Sequence, residues 1–279
     1  MIASPTTSQL IYPNALFLKK KQFILLFIFL SSCKILAAQS SPYDDIFVGS
    51  MLPNTLSEQE KSNGVKLLWD GKTTEGWRGA NKKTFPQSGW QIADGELRVL
   101  GSHGAESSNG GDIITNGKYG AFILKFDFKL TDTANSGVKY FVTATGNNKG
   151  SAIGLEYQLL DDGRHPDAKA GVNGNRTLAS LYDLIASKKI PASRKSIREW
   201  NTGMIVVHPD NKVEHWLNGY KVVEYTRGSK EFKDRVSRSK YKIYPRFAMA
   251  DKGYILLQEH GSHVSFRSIK IKELQARAN

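Results

Sequence analysis

The chain has 279 residues, of which 40% are hydrophobic and 23% charged, and a formal net charge of +13. This composition can bury a normal core, which excludes a disordered or fibrous chain and leaves room for one large β domain or two small ones. Cys33 is the one cysteine, so a disulfide framework is excluded, and no apolar run is long enough to span a bilayer as a helix.

Lys19, Lys20 and Lys21 precede the apolar stretch Phe23 to Leu30, and the small residues Ser31, Ser32, Ala37 and Ala38 follow. Residues 1–38 therefore read as an export signal, which predicts a periplasmic or cell-envelope location. Two processing routes are compatible with the residues. Leu30-Ser31-Ser32-Cys33 resembles a bacterial lipobox, in which Cys33 is the lipidated residue and the chain meets the membrane only through that anchor. Cleavage after Ala38 instead releases a soluble protein. Residues 39–63 are polar and interrupted by Pro42 and Pro53, and read as a linker with one helical turn near Ser57 to Lys61.

From Gly64 the pattern is strand after strand. Val65 to Trp69 is a predicted strand. Gly89 to Ile92 and Glu96 to Leu100 form a hairpin about Asp94-Gly95. Tyr119 to Leu130 alternates, with Phe122, Leu124, Phe126, Phe128 and Leu130 on one face and Ile123, Lys125, Asp127 and Lys129 on the other. Ala134 to Gly137 reads as a turn into a strand from Val138 to Thr145. Met204 to His208, Lys212 to Leu217 and Lys221 to Tyr225 form a meander with turns at Asp210-Asn211 and Asn218-Gly219. Ile243 to Ala250, Tyr254 to Glu259 and Val264 to Glu273 read as late strands. Thr177 to Ala186 fits a helical turn or a short strand. The basic run Lys230 to Lys242 reads as a solvated loop, since only Phe232 and Tyr241 interleave with its charges. That spacing, together with the export signal, argues against a nucleic-acid partner. About a dozen short strands with almost no helical period predict an all-β fold, a two-sheet antiparallel β-sandwich over residues 64–275. Zinc clusters, phosphate loops and the G-x-S-x-G elbow are absent from the sequence.

Ser151 to Asp162, SAIGLEYQLLDD, is the stretch most suggestive of a site. Ile153, Leu155, Tyr157 and Leu159 share one face, and Gly154, Glu156 and Gln158 the other. Glu156 and Gln158 are candidates for catalysis and substrate binding; the plain alternative is a solvated strand face. Asp161 at the strand end is a binding candidate or a turn residue. Tyr182-Asp183 pairs a phenol with a carboxylate, or Asp183 caps a turn. Gln258 and His260 lie two apart, and His260 is the histidine best suited to acid–base chemistry. His208, His215 and His263 read as surface or strand residues, and Trp77 and Trp90 as core. Glu156, Asp183 and His260 have the ligand character for a divalent metal, but no spacing demands one.

Taken together, LLWDGKTTEGWRG (67–79), GWQIADGEL (89–97), GGDIIT (110–115), YGAFILKFDFKL (119–130), NSGVKYF (135–141), GLEYQLLDD (154–162), LYDLI (181–185), EWNT (199–202), VEHWLNG (213–219) and GYILLQEHGSHVSFRSIKIKEL (253–274) resemble the 3-keto-disaccharide hydrolase domain family of bacterial envelope proteins. The resemblance implies a concanavalin A-like jelly roll and a carbohydrate substrate, a glycoside whose glucose is oxidised at C3. Within these matched motifs, Glu156, Asp183 and His260 are the catalytic candidates by residue type, and Asn135, Gln158, Asp161, Tyr182, Trp200 and Gln258 the substrate-binding ones. Trp200 is expected in a wall of the cleft. The implied chemistry is removal of the acidified C2 proton, elimination of the aglycone and rehydration. A conventional glycoside hydrolase with a carboxylate pair and a non-catalytic carbohydrate-binding module are the alternatives. The chain departs from the family at Lys139 to Val142, where an arginine is common, and along the variable segment Arg164 to Arg176.

Overall fold

A computed structural model describes residues 41–50, 52–102, 106–143 and 152–275; the export segment and Cys33 lie outside the described residues. The strands are β1 (Lys66–Leu67), β2 (Trp77–Gly79), β3 (Trp90–Ala93), β4 (Glu96–Val99), β5 (Ile113–Thr115), β6 (Phe122–Leu130), β7 (Asn135–Val142), β8 (Leu155–Leu160), β9 (Trp200–Val207), β10 (Lys212–Leu217), β11 (Tyr220–Thr226), β12 (Tyr254–Leu257) and β13 (Val264–Glu273). One sheet runs β11-β10-β9-β6-β13-β4-β3, with β1 also on β13, and the other runs β2-β5-β12-β7-β8. The strand pairings among them are antiparallel. The predicted two-sheet sandwich is the observed one.

Alternation builds the core between the sheets. Phe122, Leu124, Phe126 and Phe128 of β6 meet Val138 and Tyr140 of β7 and Leu155, Tyr157 and Leu159 of β8. Tyr157 sets its ring edge-on to Phe126 at 5.4 Å. The hairpin turns Asp94-Gly95 (φ 54° and 69°) and Asn218-Gly219 (φ 51° and 85°) are left-handed at both positions, the geometry whose twist matches paired strands.

His215 of β10 is wholly buried in this core. Its Nδ1 donates to Ala179 O at 3.1 Å, and Tyr140 Oη lies 2.8 Å from its Nε2 and 2.8 Å from Tyr225 Oη. A neutral imidazole completes that chain. Burial pushes the His215 pKa down to about 4, against the Ala179 hydrogen bond. Below the ordinary value of 6.5 the unfolded chain therefore takes a proton that the folded chain refuses, and stability falls as pH drops toward 4. The expected loss is about 3 kcal/mol. Denaturant unfolding at pH 7 and pH 4.5 checks it: a His215→Gln variant, weaker at both, should lose less over that window.

Four segments differ from the sequence expectation. Lys230–Val236 is a short helix, capped by Ser229 accepting from the Phe232 N–H; buried Phe232 stacks on Tyr225 at 5.7 Å and draws the run onto the core. Ile243 to Ala250 is not a strand. A 3-10 turn spans Lys240–Ile243, Arg246 and Ala248 take positive φ, and Pro245 has no N–H for a ladder. Tyr241 and Phe247 stack at 4.2 Å and fold the segment back on itself. Asn135 to Gly137 belong to β7 rather than to the turn before it.

Residues 41–63, read as a linker, pack in their described part on the outer face of the eight-stranded sheet. Phe47 joins Ile123, Met204, Val206 and Trp216, with Tyr43 beside them. The Tyr43 hydroxyl donates to Glu214 Oε2 at 3.1 Å. Asn54 accepts from the Ser268 N–H at 2.7 Å, at the bulge where β13 slips register against β6. The Ser57-capped helical turn Glu58–Ser62 presents Glu60, 1% exposed, to Lys270, whose Nζ sits 2.7 and 2.8 Å from the two carboxylate oxygens.

Candidate active site

The outer face of the five-stranded sheet carries the other alternation set. β7 offers Asn135, Gly137 and Lys139, β8 offers Glu156 and Gln158, Gln258 follows β12, and Asp112 precedes β5. Each of these polar side chains is 5% exposed or less. The solvated-face alternative is thereby excluded: Glu156 and Gln158 are as buried as the core they back onto. Gly137 makes the space, since a side chain there would collide with the Glu156 carboxylate. Gly154, by contrast, is pressed against the β7 backbone.

Lys139 lies opposite Glu156 in the β7–β8 register. Its Nζ is 3.4 Å from Glu106 Oε1 and 3.4 Å from Ala152 O. Burial works against its charge, but Glu156, Asp112 and Glu106 outweigh that and hold its pKa above the ordinary value. Burial raises the Glu156 pKa, assisted by Glu106 and opposed by Lys139, Lys240 and His260. Burial also pushes Asp112 up to about 6, against Lys139 and the Glu259 N–H. The Gln158 amide nitrogen reaches Asn135 Oδ1 at 3.1 Å in one orientation, and Glu156 Oε1 at 3.1 Å with Ser136 O at 3.2 Å in the other. The Gln258 amide donates to Glu106 Oε1 at 2.6 Å. Gln258 Oε1 and Asp112 Oδ2 are buried without a hydrogen-bond partner among the described residues.

Three further segments lie near this face. His260 is half-buried and lines a cleft of about 380 Å³ with Thr131 to Thr133, His165 and His263. Residues 179–182 run along the free edge of β8, where the Tyr182 N–H donates to Glu156 O at 3.0 Å. Lys240 Nζ stands 4.2 Å from the centre of the Tyr182 ring.

The remaining candidates have other work. Asp183, at φ 60°, accepts from Arg176 Nε and from the Lys240 N–H, each at 2.8 Å. The Tyr182 hydroxyl donates to Asp167 at 2.8 Å. Asp183 thus ties the loop ending at Arg176 to the Lys240 segment. Asp161 accepts from the Thr133 N–H at 2.9 Å and the Gly163 N–H at 3.1 Å, and closes the turn after β8. Trp200 pairs with Lys129 and carries Lys129 and Arg267 over its ring at 4.6 and 4.0 Å. That places it on the outer face of the eight-stranded sheet, away from Glu156. The described residues contain no group of three or more histidine, cysteine or acidic side chains placed to hold a metal; Glu156, Asp183 and His260 do not converge into one.

Residues 64–272 match the model of the 3-keto-alpha-glucoside-1,2-lyase-like domain. The chain belongs to this family. A relative from Bacteroides thetaiotaomicron, named 3-keto-disaccharide hydrolase, is 37% identical over 234 residues, covering 76% of this chain and 79% of its own. A crystal structure from Parabacteroides distasonis, titled as a candidate glycosyl hydrolase, superposes with a TM-score of 0.71 at 33% identity, covering 80% of this chain and all of that one. A second from the same organism gives a TM-score of 0.50 at 24% identity, over 80% and 98% of the two chains. Within this lyase-like domain, sequence reasoning missed Lys139, Glu106, Asp112 and Lys240. Lys139 carried a readable signal, a cation in the middle of an otherwise apolar strand. Glu106 and Lys240 sit in loops whose pattern says nothing about where they fold.

Proposed function

We propose that this protein hydrolyses 3-keto-glycosides by taking the C2 proton, expelling the aglycone and adding water across the double bond formed. The family and its relatives support the coarser class, a glycoside hydrolase-type protein with a carbohydrate substrate. The observation that carries the finer reading is buried Glu156 facing Lys139 across the β7–β8 register, with Lys240 and His260 near enough to act on its charge.

The chemistry follows from the residues. A ketone at C3 makes the C2–H acidic, so a carboxylate of raised basicity is a competent base. Glu156, raised by burial, fills that role. The enolate that forms places negative charge on the C3 oxygen, and Lys139 and Lys240 supply positive charge beside the same carboxylate. Gln158, Asn135 and Gln258 offer amides to the sugar hydroxyls. Collapse of the enolate restores the ketone, forms C1=C2 and releases the aglycone; water then adds at C1 while Glu156 returns its proton to C2. The proposal includes export to the bacterial cell envelope, supported by the Lys19 to Ala38 pattern.

The test is turnover of 3-keto-trehalose and an aryl 3-keto-β-glucoside beside the unoxidised sugars. Turnover of the keto sugars alone is expected. Turnover of the unoxidised sugars would overturn the reading in favour of a conventional glycosidase, and binding without turnover would favour a binding module. The charge arrangement adds a pH prediction. Because Glu156 acts ionised and its pKa lies above the ordinary 4.5, activity should rise with pH along a limb above that value. Lys139→Met removes a cation that favours the ionised form, so the limb should move further up; kcat/KM against pH reads both.

A further inference from the structure

Elimination needs a proton for the departing oxygen as well as a base for C2, and Glu156 supplies only the second. We propose that Glu106 is that proton donor, and that it activates the water in the second half of the reaction. This rests on the reading above and adds a residue that the motifs do not contain.

Four observations converge on Glu106. Its side chain is 38% exposed, whereas the partner it shares with Glu156, Lys139, is 4% exposed. Glu156 therefore lies in the floor and Glu106 at the opening, where an aglycone or a water arrives. Its carboxyl is held in place: Oε1 receives the Gln258 amide at 2.6 Å and Lys139 Nζ at 3.4 Å. It is close enough to Glu156 for a charge on one to raise the other, so a proton carried by Glu106 favours the ionised, basic form of Glu156. Its loop is also held: the Ser107 N–H donates to Glu259 O at 2.8 Å, the Asn109 N–H to Glu259 Oε2 at 2.9 Å, and the Ser107 hydroxyl to Asp112 Oδ1 at 3.0 Å. A carboxyl on a pinned loop, reaching solvent and bound to the lysine that faces the base across the strand pair, is positioned for proton exchange at C1.

The steps balance. Glu156 removes the C2 proton; the electron pair of that bond becomes the enolate and then C1=C2. The C1–O bond breaks, its electrons go to the aglycone oxygen, and the Glu106 carboxylic acid gives its proton there. Glu106, now a carboxylate, takes a proton from water as the water oxygen bonds to C1, and Glu156 returns its proton to C2. Both residues end as they began.

The experiment compares the full chain with Glu106→Gln on methyl and 4-nitrophenyl 3-keto-β-glucosides. A methoxide leaving group needs a proton; a 4-nitrophenolate does not. The variant should lose about 10²–10⁴-fold in kcat on the methyl glycoside and less than about tenfold in aglycone release from the aryl one. It should also accumulate the unsaturated keto sugar from the aryl substrate, because hydration is slowed. Retained aryl turnover reports that the variant is folded. Equal losses on both substrates, or no loss on either, would overturn the assignment. Wild-type inactivity on every keto sugar would instead overturn the hydrolase reading and this pairing with it.

Discussion

Glu156→Gln should lower kcat on 3-keto-glucosides by about 10²–10⁴-fold, the span over which positioned proton-transfer groups act. The change is nearly isosteric. It keeps the side chain in the space left by Gly137, and it removes the anion that faces Lys139. If Glu156 were only a structural partner of Lys139, the variant would bind and turn over substrate with little change in kcat once folded. Circular dichroism and binding of the substrate measured on the same preparation separate the two cases. Normal folding and binding with kcat intact would remove Glu156 from the chemistry.

The second large effect is on stability. Lys270→Met should cost about 3–5 kcal/mol, because it strands the Glu60 carboxylate without its cation. Glu60 is 1% exposed, holds Lys270 with both oxygens and accepts from the Ser57 N–H at 3.0 Å. The double variant Glu60→Gln with Lys270→Met should recover much of the loss, since no charge is then left buried. Equilibrium unfolding of the four proteins gives the coupling. A loss below about 1 kcal/mol for the single variant would match an exposed pair rather than a buried one, and would mean that the 41–63 segment does not hold the sheet as described.

The fold was legible because strict alternation in β6, β8 and β10 and the Asp-Gly and Asn-Gly turns state a paired sheet locally. The site was legible only in part. Period two in Ser151 to Asp162 separates Glu156 and Gln158 from Leu155 and Tyr157, but it cannot say that loops from residues 106–112, 179–183 and 238–248 close over the polar face. Lys139, Glu106 and Lys240 meet Glu156 across long sequence separations, which no short motif records. Trp200 shows the complementary failure. Met204 and Val206 on one face of β9 and Ile205 and Val207 on the other are all buried, because the 41–63 segment covers the outer face. An apolar run on both sides hides which face meets the partner sheet, so the side of Trp200 had to be read from its pairing with Lys129. The strand expected at Ile243 to Ala250 failed for a local reason: an apolar composition around Pro245 mimics a strand whose ladder that proline cannot join.

The packing of residues 41–63 also fixes a direction. Ser41, Tyr43 and Phe47 lie with Lys125, Met204 and Trp216 on the back of the eight-stranded sheet, while Glu156 faces out from the other sheet. Ser41 therefore sits across the sandwich from Glu156, and the described part of the 41–63 segment takes no part in covering the polar face of the other sheet.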